Sequence, residues 1–203
     1  MPSGSAFAQA LDFGKTAETK IARYLVEVRG CSILPVYEVL GGDYKGPRLY
    51  GQEGELVAPD MLAFTTKKTL VWIEAKHKSV FSWHRLSAAW TTGIDKHHYA
   101  DYMRIAWDLG WPVWLLFLHE NDSPDERDRP FCPATCPTGL FAVDVFAPIN
   151  HEHLNWGRHG MVYWTLEQLT RLEWPCPAHD VSRIRRLGEP HDMKHAPRYG
   201  KQA

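Results

Sequence analysis

At 203 residues, with a net charge of −1 and 44% hydrophobic residues, the chain can bury one core without metal or disulfide staples. Four scattered cysteines exclude a disulfide framework, and no apolar run reaches transmembrane length, so the expectation is a soluble cytoplasmic protein. Residues 181–203 carry six basic side chains against Glu189 and Asp192, so an acidic body bears a basic tail. Such a body does not coat nucleic acid by charge alone, but it suits an enzyme whose acidic pocket is neutralised by metal ions.

In chain order, residues 1–13 read as partly helical. From Gly14 to Gly30 an apolar stripe of Ile21, Leu25 and Val28 predicts a helix that stops at Gly30, with Glu18 on its inward side. A first-turn glutamate favoured by the helix dipole is the competing reading. Ser32 to Leu40 predicts a strand, and Gly41-Gly42-Asp43 and Gly46-Pro47 mark turns.

Residues 57–78 then read as a β-hairpin: Val-Ala-Pro-Asp-Met-Leu-Ala-Phe, a polar turn, and Leu-Val-Trp-Ile-Glu-Ala-Lys-His-Lys. Glu74 and Lys76 are two apart and share a strand face. A turn centred on Lys67 sets Asp60 directly across from Glu74. Like charges in that position repel, so a cation belongs between them, with Lys76 beside it.

A long helix is predicted over 82–109, interrupted near Thr91-Thr92-Gly93. His98, Tyr102, Ile105 and Leu109 lie on its inner face, and His97, Asp101, Arg104 and Asp108 on its solvated face. Gly110-Trp111-Pro112 ends it. Val113 to Leu118 reads as a central strand covered on both faces, and 119–138 as a loop insertion. Leu140 to Phe146 is β-like, 150–160 a polar loop, and Met161 to Trp164 a strand. Thr165 and Gln168 suggest a capping box for a helix through Leu172. The chain from Trp174 reads as irregular.

The element order gives a single α/β domain over 1–180, with a mixed central sheet flanked by helices. Glu18 on a first helix, Pro59-Asp60, Glu74-Ala75-Lys76, and a following helix with His98 and Tyr102 together resemble the PD-(D/E)XK nuclease superfamily. The resemblance covers roughly residues 14–118. It implies a restriction-endonuclease-like or Holliday-junction-resolvase-like fold with an αβββαβ core. Many members carry a glutamine on the second helix; here His98 stands in its place.

What the resemblance implies is hydrolysis of DNA phosphodiesters with one or two Mg²⁺ or Mn²⁺ ions. Asp60, Glu74, the Ala75 backbone carbonyl and Glu18 would hold metal, and Lys76 would complete the catalytic set. His98 and Tyr102 would contact the phosphate next to the cut; His77, Lys78, His84 and Arg85, which follow Glu74-Ala75-Lys76, are placed to meet phosphates at the cleft mouth, and solvated polar positions explain them equally well. A homo-oligomer is compatible with it, and exonuclease, endonuclease, resolvase and nickase remain open. Two other classes also stay open: a DNA-binding or assembly module without turnover, and a hydrolase of another phosphoester. Cys132 and Cys136, with His151 and His153 downstream, have a spacing compatible with zinc, but no second cysteine pair follows, so two free thiols in a loop are expected.

Overall fold

The computed structural model describes residues 17–36, 47–51, 54–154, 160–172 and 174. The expectations for residues 1–13, for 37–40 of the first strand and for the basic tail lie outside them.

Helical residues 17–27 (α1) bury Ala17, Ile21 and Leu25, and the helix ends where Gly30 takes φ 66°. The strands β1 (Ser32–Pro35), β4 (Met61–Phe64) and β5 (Leu70–Lys78) form an antiparallel meander. Between β1 and β4, β2 (Arg48–Gly51) and β3 (Gly54–Val57) make a separate hairpin. The β4–β5 register runs from Phe64↔Leu70 to Met61↔Ile73, which centres the turn on Lys67 as expected. Lys68 takes φ 62° there, and the Thr65 and Thr69 hydroxyls clasp across the turn at 2.6 Å.

β8 (Val113–His119) lies parallel to β5, and β9 (Gly139–Asp144) and β12 (Thr170–Leu172) complete a six-stranded mixed sheet ordered β1-β4-β5-β8-β9-β12. Every second residue of β5 and β8 faces α1: Val71, Ile73, Ala75, Leu116 and Leu118 pack with Ile21 and Leu25. The alternate set, Trp72, Leu115 and Phe117, packs on the other face against Tyr102, Ile105 and Trp164. A helix on one side and a mixed layer on the other make this an α/β fold with a central mixed sheet, as the sequence led one to expect.

The long helix over 82–109 is not found. Its first half is two strands, β6 (Ser82–His84) and β7 (Ala89–Asp95), and only Lys96–Leu109 is helical (α2). Trp90, Thr91 and Thr92 are bulky or β-branched; Trp90 pairs with Trp83 of β6, and Thr91 and Thr92 pair with β11 (Met161–Thr165), so tertiary pairing overrides the apparent helical stripe. β10 (His151–His153) adds to β11, giving a second sheet ordered β10-β11-β7-β6; part of the expected polar loop is therefore a strand. Gly110 closes α2 in the left-handed region, φ 67°. Asp101 is not on a solvated face: its Oδ2 accepts the Val57 N–H at 2.9 Å and docks β3 onto α2, while Leu109 is exposed.

The Thr165–Gln168 capping box does form, but it opens a single 3₁₀ turn, Leu166–Gln168, and β12 comes directly after. The expected helix through Leu172 is thereby corrected. Residues 120–138, between β8 and β9, hold no helix or strand. Among the described residues no helix is long and apolar enough to cross a membrane.

His119, at the end of β8, is fully buried, stacked on Phe81 at 3.8 Å, with neither ring nitrogen hydrogen-bonded. Burial, helped by Lys78 and His77, lowers its pKa to about 3. A lowered imidazole pKa means that the unfolded chain takes the proton first. The stability it confers is complete above the ordinary histidine range and is lost as pH falls toward about 3. His119→Phe removes two unsatisfied polar atoms and is expected to add roughly 1–3 kcal/mol. Urea unfolding at neutral and mildly acidic pH checks this: the variant should lose less stability on acidification than the parent, and equal losses would count against it.

Candidate active site

Asp60 stands one residue before β4, one step beyond the Met61↔Ile73 pair and therefore opposite Glu74. Its Oδ2 accepts the Ala75 backbone N–H at 2.8 Å. The ladder with β4 has already ended there, so the edge of β5 at Ala75, N–H and carbonyl alike, opens beside Asp60. Pro59 fits the loop just before the strand, where no ladder donor is needed.

Glu74 is 1% exposed. A buried carboxylate needs partners. One oxygen, Oε1, is paired with the Lys76 ammonium, and the other, Oε2, has no hydrogen-bond partner. Burial acts to lower the Lys76 pKa, but the Glu74 and Asp60 carboxylates outweigh it, and the ammonium stays protonated beyond the ordinary lysine range. The Asp60 pKa is raised as well, which for a carboxyl favours the neutral form. Burial and then the Glu74 charge hold its carboxyl well above the usual carboxylate range, with a smaller push from Glu18, against the lowering pull of Lys76 and the Ala75 N–H. Glu18, half-buried on α1, thus belongs to the same electrostatic cluster.

Lys78 shares the Glu74–Lys76 face. Burial and the neighbouring Lys76 charge lower its pKa to about 8. From α2, Tyr102 is buried and its phenol is raised by burial, Glu74 and Asp60, so it keeps its proton. His98 lies one turn earlier. Burial, Lys76 and His97 lower it to about 4, so it is neutral near pH 7.

His77 is not brought to this cluster. The alternation of β5 puts it on the α1 face, where its Nε2 lies 2.9 Å from Glu120, which Lys20 also holds at 2.6 Å. His77 is thereby set apart from the Asp60–Glu74–Lys76 group. Asp95 was missed. It ends β7 at the N-cap of α2 but makes no side-chain capping bond. Its carboxylate instead acts on Lys76, Lys78 and His98, with Oδ2 3.9 Å from His98 Nδ1. An aspartate directly before a helix was the available signal, hidden because β7 was read as helical.

Among the described residues no three Asp, Glu, His or Cys side chains gather closely enough to cage a metal. That set does not fit zinc, which wants three or four nitrogen or sulfur ligands. It does fit Mg²⁺ or Mn²⁺, which bind through one or two carboxylates and keep several waters. The buried Glu74 Oε2 and the Asp60 carboxyl, raised by burial and then by the Glu74 charge, are oxygen groups of the kind that such a cation takes. Cys132 and Cys136 are free thiols.

No protein-family model matches the chain, and no curated protein matches it. Among solved structures, the chain is similar to Hjc, a Holliday junction resolvase from the archaeal hyperthermophile Archaeoglobus fulgidus. The identity is 11%, the overlap covers 76% of this chain and 89% of that one, and the TM-score is 0.44.

Proposed function

We propose that the protein is a metal-dependent deoxyribonuclease that hydrolyses phosphodiester bonds in DNA with Mg²⁺ or Mn²⁺. The observation that carries this reading is the pair of opposed carboxylates, Asp60 and Glu74, with the Lys76 ammonium against one Glu74 oxygen and no hydrogen bond to the other. Carboxylates at that spacing stabilise neither the sheet nor each other. They suit a site that holds a cation.

Asp60, Glu74 and the Ala75 carbonyl are the groups to hold the ion, with Glu18 close enough in field to assist. When bound, a divalent ion supplies an acidified water and offsets charge on the phosphate oxygens. The protein's own part is positioning. Lys76 stays cationic at any working pH and lies where an attacking water or a developing oxyanion needs a donor. Tyr102 remains a phenol donor, and His98, uncharged at neutral pH, can donate one ring N–H to phosphate without adding a positive charge beside the metal. Lys78, with a pKa of about 8, adds a second cation for the phosphate backbone.

A chromogenic phosphodiester tests the reading. With Mn²⁺ present the protein should hydrolyse it, and added DNA should inhibit by competition. Hydrolysis indifferent to DNA would point to another phosphoester as substrate. No hydrolysis, together with DNA binding, would mark a module without turnover.

A further inference from the structure

β7 joins the candidate site to a second feature. The sheet β10-β11-β7-β6 coils so strongly that rings from its two edge strands meet. His84 of β6 stacks on His151 of β10, with centroids 3.8 Å apart and planes 13° apart. His151 stacks in turn on Tyr163 of β11, at 4.6 Å and 2°. His153 stands edge-on to both His151 and Tyr163, with interplanar angles of 84° and 85°.

Gly93 underlies this column. A Cβ there would meet the Val162 carbonyl oxygen at 2.1 Å and the Tyr163 ring at 2.8 Å, so Tyr163 lies on bare backbone. Two rings are also pinned in their planes. His84 Nδ1 is 2.7 Å from Ser87 Oγ, and His151 Nδ1 is 2.8 Å from Asn150 Nδ2. The column ends at His84, two residues before Leu86, which is 93% exposed at the hairpin tip.

The ring geometry decides what such a column recognises. Imidazole lone pairs lie in the ring plane, so face-to-face rings do not converge their nitrogens on one ion. Burial, His84 and His153 lower the His151 pKa to about 4, so the middle ring of the column is neutral near pH 7 and brings no charge to a phosphate. What remains is one flat, pre-ordered π-face, the outer face of His84, backed by His151 and the buried Tyr163, and a flat aromatic face is the surface on which nucleobases stack. Asp95 lies two residues beyond Gly93, about 7 Å along the strand. It acts electrostatically on Tyr163 as well as on Lys76 and Lys78, so the column borders the carboxylate cluster.

We propose that His84, held at the end of the His84–His151–Tyr163 column, is a stacking platform for an unpaired base, and that the substrate is DNA with a single-stranded portion beside the scissile phosphate. The inference of a scissile phosphate rests on the nuclease reading; the platform itself does not. Duplex bases have both faces covered by neighbours, so only an unpaired strand offers a face to the rings.

The test measures fluorescence anisotropy of a labelled single-stranded oligonucleotide and of its duplex, in EDTA so that nothing is cut. His84→Ala and His151→Ala should each weaken single-strand binding roughly ten-fold while duplex binding stays within about two-fold, and His151→Phe should retain affinity. His84 is only half-buried at a sheet edge, and circular dichroism confirms the fold of each variant. Unchanged single-strand affinity, or an equal loss on both DNA forms, overturns the proposal. Ring-dependent binding by a protein that never cuts DNA would instead sink the nuclease reading and leave the platform standing.

Discussion

Replacing Lys76 with alanine is expected to slow Mn²⁺-dependent DNA cleavage by about a hundred- to a thousand-fold, the usual effect of deleting one preorganised donor from a developing oxyanion. The substitution has a second consequence, because Lys76 also neutralises Glu74. With Glu74 at 1% exposure, removing its cation leaves a buried charge unpaired, which costs on the order of 3 kcal/mol. The metal-free variant should therefore unfold at lower urea concentration than the parent, and Mn²⁺ should stabilise it more strongly, since a bound cation re-pairs Glu74. Lys76→Arg restores the charge but not the compact geometry, so it should recover stability better than rate. Single-turnover rates and urea titrations with and without Mn²⁺ check both parts. An unchanged rate in Lys76→Ala would remove the residue from the catalytic set.

Asp60→Asn is expected to do the opposite to stability while abolishing activity. The asparagine Oδ1 can still accept the Ala75 N–H, so the approach to β4 is retained. What disappears is a carboxylate whose ionisation is opposed by burial and by Glu74. Because its folded pKa is raised, the stability linked to this group is complete below the ordinary carboxylate range and is lost as pH rises through the raised value. At neutral pH the metal-free parent lacks that stability and the variant does not need it. Asp60→Asn should accordingly gain on the order of 1 kcal/mol without metal. Added Mn²⁺ should raise the melting temperature of the parent and leave the variant unmoved. A metal-free variant less stable than the parent would contradict the electrostatic picture of the site.

How far the sequence made this visible depended on periodicity and turn chemistry. The hairpin was legible because its turn is symmetric about Lys67 and its strands are dense in apolar residues, so the sequence alone sets Asp60, Glu74 and Lys76 in their relative positions. β8 was legible as an unbroken apolar run, and Gly110 as a helix stop. The β6–β7 hairpin was not. Its turn, Arg85-Leu86-Ser87-Ala88, contains no glycine, asparagine or proline, and Ala88 takes φ 47° without advertising it. Its neighbours at helical spacing, Ile94, His98 and Tyr102, invited a helix to be extended backwards through it.

Losing that hairpin hid Asp95, whose position is defined only when β7 ends and α2 begins. It also hid the ring column, because His84 and His151 are 67 residues apart and meet only through the coiling of the second sheet. His77 is set apart from the cluster for a different reason. The alternation that pairs Glu74 with Lys76 already assigns His77 to the opposite face, and there Glu120 holds it. The Thr165–Gln168 box shows the limit of local signals: it caps the Leu166–Gln168 turn, but strand pairing by Thr170–Leu172 stops the helix there.

The central claim is that opposed carboxylates on the β4–β5 hairpin support metal-dependent cleavage of DNA. It is tested most directly by one gel assay: wild type and Asp60→Asn incubated with Mn²⁺ and a panel of linear, nicked, branched and single-stranded DNA. The wild type is predicted to cut at least one of these and Asp60→Asn none. Cutting by Asp60→Asn at the wild-type rate, or a wild type that cuts nothing in the panel, would contradict the claim.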